Sequence, residues 1–210
     1  MSEASKIQLI EYARKMNRSG INQGTSGNLS LRQDDGMLIT PSAVPYDDLE
    51  PGDIVQVNFD GSAVSSRKPS SEWRLHLDVY RDRPDARAIL HAHPVHCTAL
   101  ACLRRDIPAF HYMVAVAGGS DIRCSPYATF GTQELSEHAV AALEGRKACL
   151  MANHGLVCLA DNLDAALALA IEIESLARSY LQCLSVGEPV ILDEDEMNRV
   201  LMKFESYKPE

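Results

Sequence analysis

Apolar residues recur every three or four positions over residues 3–18, where Ile7, Ile10, Ala13 and Met16 share one side and Gly20 follows, so the chain opens on an amphipathic helix. The period then shortens. Residues 28–32 and 37–40 read as strands around the turn residues Asp34-Asp35-Gly36, and 54–59 alternates toward a further turn at Asp60-Gly61. A second helix is expected to open at Ser70-Ser71, with Glu72 in its first turn, and to run through WRLHLDVYRDR to Pro84. Residues 86–93 (ARAILHAH) read as a buried strand, and Pro94 then starts a short helix holding CTALACL. The pattern predicts a strand over 113–117, a helix over 133–143 and a strand pair across 148–159. A long helix over 163–184, apolar on more than one face, reads as a core helix; in the last helix, over 193–204, Asp193 and Glu196 have capping-box spacing.

Strands and helices mix without strict β-α-β alternation, and no repeat, low-complexity run or Gly/Ser linker divides the chain. The expectation is one domain over residues 1–210, an α/β protein of α+β character with an antiparallel sheet layered between helices. Composition narrows the function classes. With 29 acidic against 20 basic side chains, a formal charge of −9, the chain lacks the cationic surface that grips nucleic acid or an anionic membrane. No apolar run approaches the ~18 residues that cross a bilayer, and the polar start MSEASK has no signal-peptide core, so a cytoplasmic protein is expected. Cys97, Cys102, Cys124, Cys149, Cys158 and Cys183 lie mostly in apolar stretches without CxxC spacing and read as small buried hydrophobes.

Candidate chemistry gathers at the end of the buried strand. His91 and His93, two apart, project to the same side and can chelate one ion, although HxH alone fits equally a hydrogen-bonded core histidine beside an exposed one. His154 in MANHGLVCLA sits between two apolar strands at a tight turn, where Gly155 would permit a positive φ. Glu72 can add a carboxylate, or simply complement the dipole of its helix. Three histidines and one carboxylate suit Zn²⁺, whereas Mg²⁺ would want clustered acids. GTSGNLS (24–30) and PSSE (69–72) present small residues, hydroxyls and backbone amides, as phosphate cradles do and as ordinary turns and caps also do.

Together, GTSGNLS, MLITPSAVPY, KPSSEWRLH, AILHAHPVHCTALA, HYMVAVAGG with PYATFGTQELSEH, and NHGLVCLA resemble, in order and spacing, the class II aldolase/adducin family, its bacterial fuculose-phosphate aldolases among them. The resemblance runs through almost the whole chain. It implies a three-layer α/β domain with a mixed, largely antiparallel central sheet, assembled as a homotetramer with active sites between subunits. Glu72, His91, His93 and His154 then match the zinc ligands, one ion per subunit, and Glu72 also matches the acid/base residue. Gly27, Asn28, Ser70 and Ser71 match phosphate-binding positions. Ser42 and Ala43 stand where Thr-Gly is the pattern, which leaves the geometry of that loop open. Tyr112 matches a tyrosine that reaches a neighbouring site, and Tyr207 a C-terminal tyrosine near the substrate.

The implied activity is reversible cleavage of a ketose 1-phosphate, L-fuculose 1-phosphate or a related 5-substituted ribulose 1-phosphate, to dihydroxyacetone phosphate and a small aldehyde. Zinc would stabilise the enediolate, in place of the Schiff-base lysine of class I aldolases. Of the six lysines only Lys147 abuts a core strand, and it reads as a solvated strand-end charge. Other activities of the family stay open: ribulose-phosphate 4-epimerase, sugar-acid phosphate decarboxylase, methylthioribulose-phosphate dehydratase, or a non-catalytic adducin-like scaffold. His76, one turn after Glu72, reads as a supporting or packing residue, and His96 and His111 as bystanders.

Overall fold

Alternation along each strand divides the apolar residues between two opposite faces, and both faces find helices. The structure, a computed structural model, describes residues 3–206. Its strands are β1 (Asn28–Gln33), β2 (Gly36–Ile39), β3 (Val55–Asn58), β4 (Ala63–Val64), β5 (Ala88–Ala92), β6 (Cys124–Ser125), β7 (Ala148–Met151) and β8 (Gly155–Ala160). They form one eight-stranded sheet in the order β4-β3-β2-β1-β5-β8-β7-β6. Neighbours are antiparallel except β6 and β7, which are parallel.

The helices are α1 (Glu3–Arg18), α2 (Trp73–Asp82), α3 (Val95–Cys102), α4 (Gln133–Ala142), α5 (Leu163–Val186) and α6 (Glu194–Ser206). Leu29, Leu38, Leu90, Leu156 and Cys158 face α1, α3 and α5, while Met37, Ile39, Val57, Ile89 and Val157 face α2 and α4. The result is the expected three-layer α/β architecture with a mixed, largely antiparallel sheet. Each large aliphatic side chain buried between layers contributes roughly 1.5–3 kcal/mol. Among the described residues no helix is long and apolar enough to cross a membrane.

Several expectations are corrected. Residues 113–117 are not a strand: Tyr112–Ala117 is a 3-10 helix that ends at Gly118 (φ 87°). A short apolar run does not distinguish the two by period, and here Val114, Ala115 and Ala117 bury against the α5 side of the core while the His111 ring accepts the Met113 N–H. Helix α2 starts at Trp73 rather than Ser70, because the Trp73 N–H bonds back to Ser70 O at 3.1 Å and makes 70–73 a turn. The two-residue strands β4 and β6 are too short to show a period. Of the cysteines, Cys97, Cys149 and Cys158 are buried, Cys124 and Cys183 are half-buried, and Cys102 is exposed; all six are free. Lys147 is exposed, as expected.

Candidate functional site

Neighbouring strands β1 and β5 place Asn28 opposite His91, and β8 places Val157 on its other side, so His91 is held deep in the sheet on the α2 face. His93, two residues on, turns to the same face just past the strand end. His154 stands in the turn between β7 and β8, where its N–H closes on Met151 O at 3.0 Å. The left-handed residue of that turn is Asn153 (φ 53°), not Gly155 as expected. Gly155 is required for a different reason: a Cβ there would lie 2.5 Å from Ala92 O and 2.6 Å from His93 Cδ2. Glu72 enters from the turn before α2, its N–H donated to Ser70 Oγ at 3.3 Å.

The four side chains converge. His91 Nε2 is 2.9 Å from Glu72 Oε2 and 3.0 Å from His93 Nε2, and His154 Nε2 is 3.2 Å from Glu72 Oε1. One candidate ligand atom from each lies within 4.8 Å of the other three. His91 Nδ1 donates to Leu156 O at 2.9 Å, which turns Nε2 toward the cluster as a metal ligand requires.

Burial pushes the Glu72 carboxyl up, but the charge and hydrogen bond of His91, with His154 and Asn28, outweigh it and hold Glu72 well below the carboxylate range. For His91 burial works downward, and the charge and hydrogen bond of Glu72 raise it on balance. Burial, followed by the charge on His91, pushes His93 and His154 down to about 4, so near neutral pH both offer lone pairs. Glu72 Oε1 is buried without a hydrogen-bond donor. Three imidazole nitrogens and an orphaned carboxylate oxygen facing one point are the donor set of a tetrahedral N/O ion site, so the residues present fit a divalent transition metal.

Glu72, His93 and His154 open on a cleft of about 440 Å³ that Thr25, Ser26, Ser42, Ala43 and Ser71 also line. Tyr127 and Phe130, both exposed, add aromatic side chains to its lining. Not all the expected phosphate residues reach this cleft equally. Ser71 and Ser42 line it, but the Ser42 N–H is already donated to Lys68 O (3.1 Å), which leaves its hydroxyl. Ser70 is buried beneath, with its N–H donated to Thr40 O at 3.1 Å. Ala43 adopts φ 58°, the left-handed conformation a glycine would take without strain. At Gly27 a Cβ would meet Asn22 Oδ1 and His91 O at 2.6 Å, so only glycine lets the GTSGNLS turn lie against β5. The Asn28 side chain is buried and points at Glu72 (Nδ2 to Oε2, 3.1 Å) rather than into the cleft.

Tyr112 lies elsewhere. It is 51% exposed on a second cavity of about 820 Å³ between the 3-10 helix and α6, lined by Phe110, Leu192, Val200 and Phe204. Tyr207 falls outside the described residues. Sequence reasoning missed Tyr127 and Phe130, whose signal was two aromatics three apart in a turn-rich segment, and Tyr46, whose buried hydroxyl anchors the Gly27 carbonyl. It also left His76 without a partner. In the structure His76 is fully buried and hydrogen-bonded through both ring nitrogens.

Residues 7–181 match the family model described as Class II Aldolase and Adducin N-terminal domain. The chain belongs to this family. Within the class II aldolase and adducin family it is 56% identical over 199 residues to a 5-methylthioribulose-1-phosphate/5-deoxyribulose-1-phosphate aldolase of Rhodospirillum rubrum, covering 95% of this chain and 90% of the relative. It is 51% identical to the L-fuculose phosphate aldolase of Escherichia coli, covering 95% and 94%. A solved L-fuculose 1-phosphate aldolase superposes with a TM-score of 0.95 at 43% identity, covering 98% of each chain. As a member of this family with aldolase-named relatives over nearly its full length, the chain is an enzyme of the class II aldolase type.

Proposed function

We propose that this enzyme is a zinc aldolase that reversibly splits a ketose 1-phosphate, L-fuculose 1-phosphate or a 5-substituted ribulose 1-phosphate, into dihydroxyacetone phosphate and a small aldehyde in the cytoplasm. The observation that carries the reading is the orphaned Glu72 Oε1 within a three-histidine cluster that opens on a cleft of hydroxyls and turn amides. The names of the relatives supply the substrate class.

Zinc held by Glu72, His91, His93 and His154 would supply Lewis-acid stabilisation of the negative charge that develops as the C3–C4 bond breaks. The hydroxyls of Ser42 and Ser71 and the backbone at Ala43, which line the cleft, hold the phosphate and so fix the donor half in place, with Gly27, Asn28 and Ser70 packed beneath them to shape the cradle. Glu72 moves the proton at C3 of dihydroxyacetone phosphate. Tyr127 and Phe130, the aromatic side chains lining the cleft, suit an aldehyde with an apolar substituent, which favours a 5-deoxy or 5-thioether sugar. Tyr112, exposed and away from its own chain's cleft, exchanges the C4 hydroxyl proton in the cleft of a neighbouring subunit of a homotetramer, and Tyr207 approaches the substrate from the C-terminal segment.

A synthesis assay tests this function. Zinc-loaded protein given dihydroxyacetone phosphate and a panel of aldehydes (lactaldehyde, acetaldehyde, glycolaldehyde and a thioether aldehyde) is expected to form ketose 1-phosphates, those with apolar substituents fastest. Absence of product with every aldehyde, together with turnover of a ketopentose 5-phosphate, would replace the aldolase by an epimerase.

A further inference from the structure

A row of buried polar side chains leads from Glu72 into the layer between the sheet and α2. His76 and Tyr80, four apart in α2, share the helix face turned to the sheet, and Glu72 stands in the turn just before that helix. Asn28 and Ser30, two apart in β1, share the strand face turned to the helix. The two sets interlock. Ser30 Oγ is 2.9 Å from Tyr80 Oη and 2.7 Å from His76 Nδ1; His76 Nε2 is 2.5 Å from Asn28 Oδ1; Asn28 Nδ2 is 3.1 Å from Glu72 Oε2. None of Asn28, Ser30, His76 and Tyr80 is more than 2% exposed.

Proton counting gives the row a direction. An ionised Glu72 only accepts, so Asn28 must turn its NH₂ toward it and its Oδ1 toward His76. His76 then donates from Nε2. Burial pushes His76 down to about 3 and keeps it neutral, so its Nδ1 carries a lone pair that accepts from Ser30. Ser30 Oγ also lies 2.9 Å from Tyr80 Oη, whose own proton has the Arg87 carbonyl as an acceptor at 3.4 Å. The other tautomer would put a lone pair against Asn28 Oδ1, and the amide flip that relieves that contact would set Oδ1 against the Glu72 carboxylate.

We propose that His76 is a positioning residue: held between Ser30 and Asn28 with its Nε2–H donated to Asn28 Oδ1, it orients Asn28 so that Glu72 Oε2 is held and Oε1 is left aimed into the ion site. The inference rests on the reading of the cluster as a metal site.

The test is zinc affinity by chelator competition on the full chain, with thermal unfolding measured beside it. His76→Leu is expected to lower affinity by about tenfold or more, the usual effect of losing a partner behind a metal ligand. His76→Gln, whose amide NH₂ can still reach Asn28 Oδ1, is expected to restore most of it even where its melting temperature stays low. Ser30→Ala, with His76 intact, shifts affinity in the same direction as His76→Leu and decides the matter if that variant does not fold. Wild-type affinity in His76→Leu or Ser30→Ala, or a loss in His76→Gln as large as in His76→Leu, would overturn the proposal. The metal-free wild-type protein gives an independent readout: ¹⁵N spectra are expected to show His76 as the Nε2–H tautomer, and the Nδ1–H tautomer would overturn it. A wild-type protein without zinc affinity would instead sink the metal reading, while the tautomer still judges the relay.

Discussion

Ala43 sits at φ 58° on the cleft wall, a conformation in which its Cβ crowds the following carbonyl at a cost of roughly 1–2 kcal/mol. Ala43→Gly removes that strain but loosens the unfolded chain, so a net gain of about 1 kcal/mol or less is expected in urea unfolding of the metal-free protein. A loss of stability would show that the loop draws something from the methyl group. At this scale the sequence was most legible where geometry is local. The two-residue spacing of His91 and His93 announces a shared strand face, and His154 stands out as a polar residue between apolar strands. His76 was opaque for the opposite reason: its helical position gives a direction, but its partners Asn28 and Ser30 come from a strand more than forty residues earlier. Gly155 was assigned to the wrong need, since a sequence shows that a glycine is present but not whether φ or a neighbour's carbonyl requires it.

Elements place the site through their ends. Helix α3 begins directly after His93-Pro94, and its first N–H groups are held from across the core by Glu174 of α5. That carboxylate accepts from the backbone of His96 (2.9 Å) and Cys97 (2.9 Å) and from His96 Nδ1 (2.7 Å). A carboxylate on a helix N-terminus satisfies orphan donors and complements the dipole. Glu174→Ala is therefore expected to cost about 1.5–3 kcal/mol in denaturant unfolding, and a value within ~0.5 kcal/mol of wild type would show the clamp to be ornamental. His96, a bystander to the chemistry, thus has a structural partner that no local pattern could reveal. Long periodic elements such as α1 and α5 were readable to within a residue or two, because their caps and apolar faces are local. The 3-10 helix over 112–117 was not, since its shape follows from packing against α5 and α6.

For the whole molecule the buried and half-buried histidines set a pH dependence. In the metal-free fold His76 lies at about 3, and His93 and His154 at about 4, all below the ordinary 6.5. Groups so depressed bind protons in the unfolded chain first, so their stability contribution is present above pH 6.5 and lost as pH falls toward 4. His91, raised, contributes its full share below 6.5 and does not vary in that window; the depressed Glu72 loses its share only below its ordinary 4.5. The urea midpoint of metal-free protein is therefore expected to fall steadily from pH 6.5 to 4, and a flat profile would mean that these rings are not held neutral. Saturating zinc should raise the midpoint at pH 7 and lose that effect with acid, because protons compete for the same nitrogens.

The net charge of −9 fits the proposed function, in which a phosphorylated substrate is held by neutral hydroxyls and amides and by the charge of a bound ion rather than by basic side chains. The most direct test of that chemistry is solvent deuterium exchange at C3 of dihydroxyacetone phosphate, followed by NMR without any aldehyde present. Zinc-loaded protein should exchange one C3 hydrogen stereospecifically, and exchange should vanish on chelation and in Glu72→Gln. Absence of exchange in the loaded wild type, or full exchange in Glu72→Gln, would contradict the assignment of this cluster as the proton-transfer centre of an aldolase.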